Sequence, residues 1–344
     1  MIAPAPIEIV GGGLAGLSLG LALRRADVPT TIFEAGNYPR HRVCGEFITG
    51  LAPTTIARLG LAPIFSDAQR HHEAAWFHGD SATPVRVQRL PSPALALSRH
   101  TLDARLAAAF VDAGGVLHTH TRVADAPPRA GRVFANGRRR GQPEWLGLKL
   151  HASALPLAHD LELHLGDDCY VGLARVAPDT VNVCGLFRVR TLAATGNGLL
   201  LAYLRAAGLT TLADRLAAAS LDATSFSAVA ALAFDASVHV AADEPLRLGD
   251  ACAMIPPFTG NGMAMAFQSA ELALDPLRAF SRGEAPWPDT VAAVRGALDR
   301  RFRRRLRVAS LLHPFLHAPP RQRFFATLAR SPLLPLRPLY AALH

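Results

Sequence analysis

Four sets of residues in this 344-residue chain have the types and spacing to do chemistry. The first is Gly11-Gly12-Gly13-Leu14-Ala15-Gly16, a G-x-G-x-x-G run entered directly from the apolar stretch 7–10. In such a run Gly11 permits the tight turn out of a strand, Gly13 lets backbone approach a pyrophosphate, and Gly16 lets a helix pack closely on the strand. The N–H groups of the first helical turn, with the helix dipole behind them, then face the phosphates. The second is Glu34, followed by Ala35, at the end of the stretch 30–33 and eighteen residues beyond Gly16. A carboxylate there accepts hydrogen bonds from a ribose. Strand, helix, second strand and acid in this order predict an adenine dinucleotide site.

The third set decides which dinucleotide. The stretch 246–250 reads as a short strand ending in Gly249-Asp250, and Pro256-Pro257-Phe258-Thr259-Gly260-Asn261-Gly262-Met263 leads into a helix from Ala264 to about Leu277. Asp250 is an ionised acceptor suited to ribityl hydroxyls. The loosened loop aims a helix N-terminus at a ring edge where negative charge collects on reduction, worth about 0.3–1 kcal/mol. These features favour FAD over NAD, the competing reading being an ordinary turn before a surface helix. Arg42, in Tyr38-Pro39-Arg40-His41-Arg42-Val43-Cys44-Gly45-Glu46-Phe47, is a phosphate or ribityl contact in this reading.

The fourth set is Cys44, Glu46, Lys149 and His151. Lys149 is the only lysine among 36 basic residues. An ammonium is not interchangeable with a guanidinium where a point charge or a tunable pKa is needed. Residues 149 and 151 share one face of a predicted strand, giving a substrate or flavin contact and, in Glu46 and His151, candidate proton carriers. The alternatives are a solvated strand face for Lys149, a structural histidine, and a small buried hydrophobe for Cys44.

Four blocks together resemble one superfamily: VGGGLAGL at the start, PRHRVCGEF from Pro39, LSRHTLDARL from Leu97 and LGDACAMIPPFTGNGMAMA from Leu248. It is the FAD-dependent monooxygenases of the p-hydroxybenzoate hydroxylase fold, including the geranylgeranyl-reductase-like branch. The resemblance implies that Cys44-Gly45-Glu46 lies beside the isoalloxazine and that Arg99 contacts the cofactor. It adds Val123, which closes the predicted strand 116–123, to the cofactor set. Asn136 stands where the superfamily usually has the aspartate of an Asp-Gly motif, and the connection before it, 124–131, looks short. Both departures weaken inference about a nicotinamide donor without touching FAD.

The implied architecture is α/β: a Rossmann-like FAD-binding domain in three pieces (1–70, 97–140 and 240–280), an interleaved antiparallel-sheet substrate domain (71–96 and 141–239), and C-terminal helices (281–344). Two-residue alternation from Trp145 to Phe187 predicts a four-stranded meander, followed by helices over 198–220 and a strand over 229–234. A helix from Thr101 to Ala113, capped by Thr101, returns the chain to the nucleotide sheet.

Composition sets the bounds. Apolar residues at 50% and charged residues at 18% describe a globular enzyme. The net charge of +9 comes from arginine without interleaved aromatic platforms, so no nucleic-acid partner is expected. The four cysteines show no metal or CxxC spacing, which implies reduced thiols in a cytoplasm and no metal. No stretch is long enough to span a membrane; the arginine-bearing helix after Pro286 leaves peripheral membrane contact as a minor reading beside a solvated face. The expectation is an FAD-dependent oxidoreductase with NAD(P)H as donor, hydroxylating an apolar or aromatic small molecule such as a polyketide, phenol or isoprenoid. Its rivals are a reductase saturating an isoprenoid-like alkene and a non-catalytic flavin-binding protein.

Overall fold

The computed structural model describes residues 3–123, 127–139, 141–142, 144–238, 244–330 and 336–343. In chain order its strands are β1 (Ile7–Val10), β2 (Thr30–Phe33), β3 (Phe47–Ile48), β4 (Gln69–His78), β5 (Arg86–Ala96), β6 (Val116–His118), β7 (Arg132–Phe134), β8 (Trp145–Ser153), β9 (Leu161–Gly166), β10 (Cys169–Ala177), β11 (Thr180–Arg188) and β12 (Ser220–Ala230). The helices are α1 (Leu14–Arg24), α2 (Pro53–Leu59), α3 (Arg99–Asp112), α4 (Gly196–Ala206), α5 (Thr210–Ala217), α6 (Gly262–Ser281), α7 (Trp287–Leu312), α8 (Pro314–His317), α9 (Pro319–Arg330) and α10 (Leu336–Leu343).

Two sheets divide the work. A parallel sheet in the order β6-β2-β1-β7 is extended at its β7 edge by Arg247, which bridges Phe134. Its strands are short apolar runs because helices cover them: Ile7, Ile9, Ile32 and Val133 are fully buried against α1, α3 and α6. The second sheet has the order β12-β8-β11-β10-β9-β4-β5-β3. It alternates as predicted over β8 to β11. Leu148, Leu150, Val171 and Val183 face α4 and α5, and the opposite side chains face the parallel sheet's loops.

Several expectations need correction. The second sheet is not a pure antiparallel meander: β8 pairs with β11 and β12 rather than β9, and β4 pairs with β9 in parallel. The strand expected over 229–234 lies earlier, at Ser220–Ala230. Its Ser/Thr/Asp-rich sequence hides it because it is an edge strand with a register break between Asp222 and Ser227. The helix expected from Thr101 begins at Arg99, because the Ser98 hydroxyl, not Thr101, accepts the Thr101 N–H at 3.3 Å. Only residues 116–118 of the stretch 116–123 are strand, so Val123 sits in a loop. The stretch 246–250 contributes one bridging residue, and Gly249–Ala251 is a 3-10 turn. The α6 helix is longer than expected, running from Gly262 through Pro276 to Ser281. The connection 124–131 lies partly outside the described residues, as do the prolines of 331–335.

Helix α7 buries Val294, Leu298, Phe302 and Leu306 and exposes Arg301, Arg303, Arg304 and Arg307. Among the described residues no helix is long and apolar enough to cross a membrane.

Candidate cofactor and active site

The two distant glycine turns converge. Gly11, at φ +111°, turns the chain from β1 with its α-carbon against the backbone of Ala135 and Asn136, where a β-carbon would lie 2.3 Å from the Ala135 oxygen. At Gly16 a β-carbon would meet the Gly11 oxygen at 2.0 Å, the close helix–strand approach the motif requires. Gly249, at φ +58°, brings the second turn onto the first: a β-carbon there would lie 3.0 Å from that of Ala15. Leu14 and Ala15 are buried in the first turn of α1, and Met263 in that of α6.

Polar groups around this junction are left unspent. A β-carbon at Gly13 would meet nothing within 4 Å, so the N-terminus of α1 faces open space. Among the described residues Arg42 Nη2 is buried without a partner. The Asp250 side chain is open to solvent. Even so, the protein packed around it raises its carboxyl above the usual range, against the lowering pull of Arg99. Ala35 and Pro257 are exposed at the two ends of the junction. An extended ligand with a diphosphate and a hydroxylated tail fits these donors and acceptors.

Glu34 is more occupied than expected. Its carboxylate accepts from Gly12 N–H at 2.8 Å, Gly36 N–H at 2.9 Å and Arg40 Nη2 at 2.7 Å. These bonds orient an acid that retains lone pairs for a ribose. The loop carrying Val123 is pinned beside it, with Thr121 N–H donating to the Glu34 carbonyl at 2.8 Å. Arg42 and Arg99 share one buried carboxylate, Asp103. Arg42 Nε donates to it at 2.9 Å, and Arg99 donates two bonds at 2.7 and 2.9 Å. Two guanidiniums on one acid leave a net positive charge near Asp250. Sequence reasoning missed Asp103, although its i,i+4 spacing from Arg99 was the available signal. Asn261, expected in the cofactor set, is buried: its side-chain amide donates to the Leu343 carbonyl at 2.9 Å and its backbone N–H to Thr259 Oγ1 at 3.2 Å. Gly260, at φ +66°, presses against the Phe47 ring, and its carbonyl accepts from Thr49 N–H at 3.3 Å. Gly262 opens α6 beside it.

The fourth set assembles on the sheet face turned toward this junction. Glu46 is fully buried in a left-handed conformation, φ +57°, which costs a non-glycine residue about 1–3 kcal/mol. Its carboxylate lies 2.6 Å from His151 Nε2, accepts from Arg99 N–H at 2.8 Å, and stands 3.6 Å from Lys149 Nζ. Lys149 is also fully buried, not on a solvated face, and its Nζ lies 2.9 Å from His41 Nδ1. Burial lowers the Lys149 pKa against the opposing pull of Glu46. Burial also holds His41 neutral, with its pKa lowered to about 4 and Lys149, His151 and His100 adding to the effect. Cys44 joins this group: its carbonyl accepts from Asn182 at 2.9 Å and its thiol pKa is raised by burial, against Arg99. That raised thiol argues against a standing thiolate. His41, Glu46 and His151 offer donor atoms within 4.8 Å of one another, a set that resembles a metal site. Lys149 Nζ stands beside that set, 3.6 Å from Glu46 Oε1. Sequence reasoning quoted His41 but assigned it nothing, because its partner is 108 residues away.

An aromatic wall adjoins the cofactor loop. Phe258 from that loop meets Tyr170 at 6.3 Å and stacks on His313 at 6.3 Å between ring centroids. Trp145 and Phe234 join from the sheet and from the loop after β12, and His317 from α8.

Comparison with known proteins bears on the fold. The squalene epoxidase family model matches residues 135–284. Solved structures superpose over nearly the whole chain. Pseudomonas aeruginosa PqsL in complex with 2-aminobenzoylacetate gives a TM-score of 0.76 at 16% identity, covering 95% of this chain and 99% of that one. Klebsiella pneumoniae HpxO complexed with FAD and uric acid gives 0.77 at 15% identity, covering 98% and 96%. The chain has the fold of the FAD-dependent monooxygenases. In sequence, a menaquinone reductase of Mycolicibacterium smegmatis is 30% identical over 134 residues, 38% of this chain. That match spans only 33% of the relative's length. FAD, with which HpxO is complexed, is the cofactor that the unspent groups fit.

Proposed function

We propose that the chain is an FAD-dependent monooxygenase that takes electrons from NAD(P)H and oxygenates an apolar small molecule carrying rings or isoprenoid units. The observation that carries this reading is the convergence of Gly13, Gly249 and Asp250 beside an aromatic wall. FAD, when bound, supplies the redox chemistry; the protein's tasks are to hold it, dry the site and place the substrate. Gly13 and the α1 N-terminus would receive the diphosphate, with Arg42 Nη2 adding charge. Asp250 would accept from the ribityl hydroxyls, and the α6 N-terminus at Gly262 would face the ring. Phe234 and Phe258, half-buried and backed by the buried Trp145 and Tyr170, would offer an apolar, stacking surface to a planar or unsaturated substrate. Glu46 and His151 would carry protons.

A reductase acting on a carbon–carbon double bond is the second reading, as in the geranylgeranyl-reductase-like branch. It is favoured by the menaquinone reductase match and by the buried acid–base group on the cofactor side. NADPH consumption by the reconstituted chain, followed with and without O2 and substrate, separates the two. Consumption that needs O2 and yields product one oxygen heavier supports oxygenation. An anaerobic product two hydrogens heavier supports reduction and removes the leading reading. The cytoplasm, with reduced thiols and soluble nicotinamide donors, is the compartment this chemistry calls for.

A further inference from the structure

A second opening leads to the same acid–base group from the outside. A cleft of about 610 Å³ lies between residues 97–101, the turn at 176–180 and Asp222–Thr224 of β12. His41, His100 and His151 line it. His41 stacks on His100 with ring centroids 4.5 Å apart and meets His151 edge-on at 5.1 Å. Behind these imidazoles stand Lys149 and Glu46, each with no exposed surface. The contacts run in series: His41 Nδ1 to Lys149 Nζ at 2.9 Å, Lys149 Nζ to Glu46 Oε1 at 3.6 Å, and Glu46 Oε2 to His151 Nε2 at 2.6 Å. Every member can take up and release a proton. At its inner end Lys149 faces the Cys44 and Cys184 thiols, next to the loop that leads to the cofactor.

Packing alone does not account for this group. A buried ion pair is commonly matched or bettered in stability by apolar residues of similar volume, and Glu46 adds backbone strain. Either proposed reaction, however, consumes a proton from solvent. Oxygenation combines substrate, O2, the donor's hydride and one proton to give oxygenated substrate, water and oxidised donor. Reduction combines substrate, hydride and one proton to give the saturated product. The hydride comes from the nicotinamide; the proton must reach a dried site by another route.

We propose that the cleft and the His41–Lys149–Glu46–His151 group form that route, with His41 exchanging protons with solvent and Lys149 acting as the inner donor. The inference rests on the flavin oxidoreductase reading. The proton passes from water to His41, from the imidazolium to the Lys149 amine, and from the ammonium inward, with Glu46 and His151 holding the compensating charge. The groups facing His41 are Lys149, His151, His100 and Glu46, with Asp222 across the cleft. Those facing Lys149 are Glu46, His41, Cys184 and Cys44.

Two measurements test it. In the full chain without FAD, nitrogen-detected NMR follows the His41 imidazole against pH. Lys149→Met is expected to move the His41 titration toward higher pH, and Glu46→Gln to move it toward lower pH. Independent titration of His41 in the Lys149→Met chain overturns the route. In the FAD-reconstituted enzyme, His41→Ala is expected to lower turnover at least tenfold at pH 7 while leaving the donor's KM unchanged. Imidazole and its methylated derivatives, admitted by the open cleft, should restore turnover in an order that follows their pKa values; His41→Gln should show the loss without changing the melting temperature. Unchanged turnover, or a loss that no imidazole restores, overturns the proposal. If the wild-type chain binds no FAD, the functional reading fails instead, and the NMR titration reports that outcome separately.

Discussion

The cofactor junction and the buried acid–base group lie side by side and are built on opposite principles. At the junction, glycines hold the backbone open: among the described residues Arg42 Nη2 is buried without a partner, Gly13 faces open space and Asp250 is exposed. In the acid–base group, Glu46, Lys149, His151 and His41 are side chains already spent on one another inside the protein. An unspent set waits for a ligand that completes it; a mutually satisfied set keeps its charge at home and can only pass protons along. The difference predicts different responses to substitution.

The largest effects belong to the glycines where backbone meets backbone. Gly11→Ala must place a β-carbon 2.3 Å from the Ala135 oxygen at a positive φ. We expect a loss of about 3–5 kcal/mol in unfolding free energy, read by urea titration. Gly13→Asp sharpens the contrast: with nothing within 4 Å it should unfold within about 1 kcal/mol of wild type. Its FAD affinity should nonetheless fall at least ~100-fold, because a carboxylate then faces the diphosphate.

Breaking the acid–base group costs stability first. Glu46→Gln leaves the Lys149 charge buried without its counter-ion and should cost about 3 kcal/mol. The double variant with Lys149→Met should recover at least 1 kcal/mol of the summed losses, measured as a double-mutant cycle of unfolding free energies. Additive losses would mean that the two side chains act independently.

His313 supplies a pH-dependent effect of intermediate size. Burial, with His317 adding, lowers its pKa to about 3, so the folded chain keeps it neutral where the unfolded chain protonates near 6.5. The unfolded state therefore binds the extra proton, and stability falls as pH drops from about 6.5 toward 3. His313→Phe should lessen that decline by about 2 kcal/mol, seen in melting temperature against pH. The smallest effect belongs to the exposed pair Arg205–Asp214, 2.8 Å apart. Arg205→Ala should stay within about 0.5 kcal/mol of wild type.

The same contrast explains what the sequence reveals. Glycine spacing, Glu34 and the Gly249-Asp250 turn are legible because backbone geometry demands those residue types within a few positions. The strand alternation also places Lys149 and His151 on one face. What alternation leaves open is whether that face meets solvent or Glu46, because the answer depends on a loop 105 residues away in sequence. His41 is hidden for the same reason, its partner Lys149 lying 108 residues away. The aromatic wall draws on the sheet, the cofactor loop and α7–α8, a convergence that no local pattern encodes. Strand β12 was misplaced because an edge strand rich in serine and threonine lacks the apolar rhythm that marks a buried one.

The central claim is that two remote glycine turns grip one FAD. Titrating the purified chain with FAD, by flavin fluorescence and calorimetry, alongside folded Gly13→Asp and Asp250→Ala variants, tests it most directly. The account predicts one FAD per wild-type chain and a loss of at least ~10-fold in affinity in each variant, since Gly13→Asp sets a carboxylate against the diphosphate and Asp250→Ala removes an acceptor, each costing more than about 1.4 kcal/mol. Folded wild-type protein that binds no flavin, or variants that bind it as tightly as wild type, would contradict it.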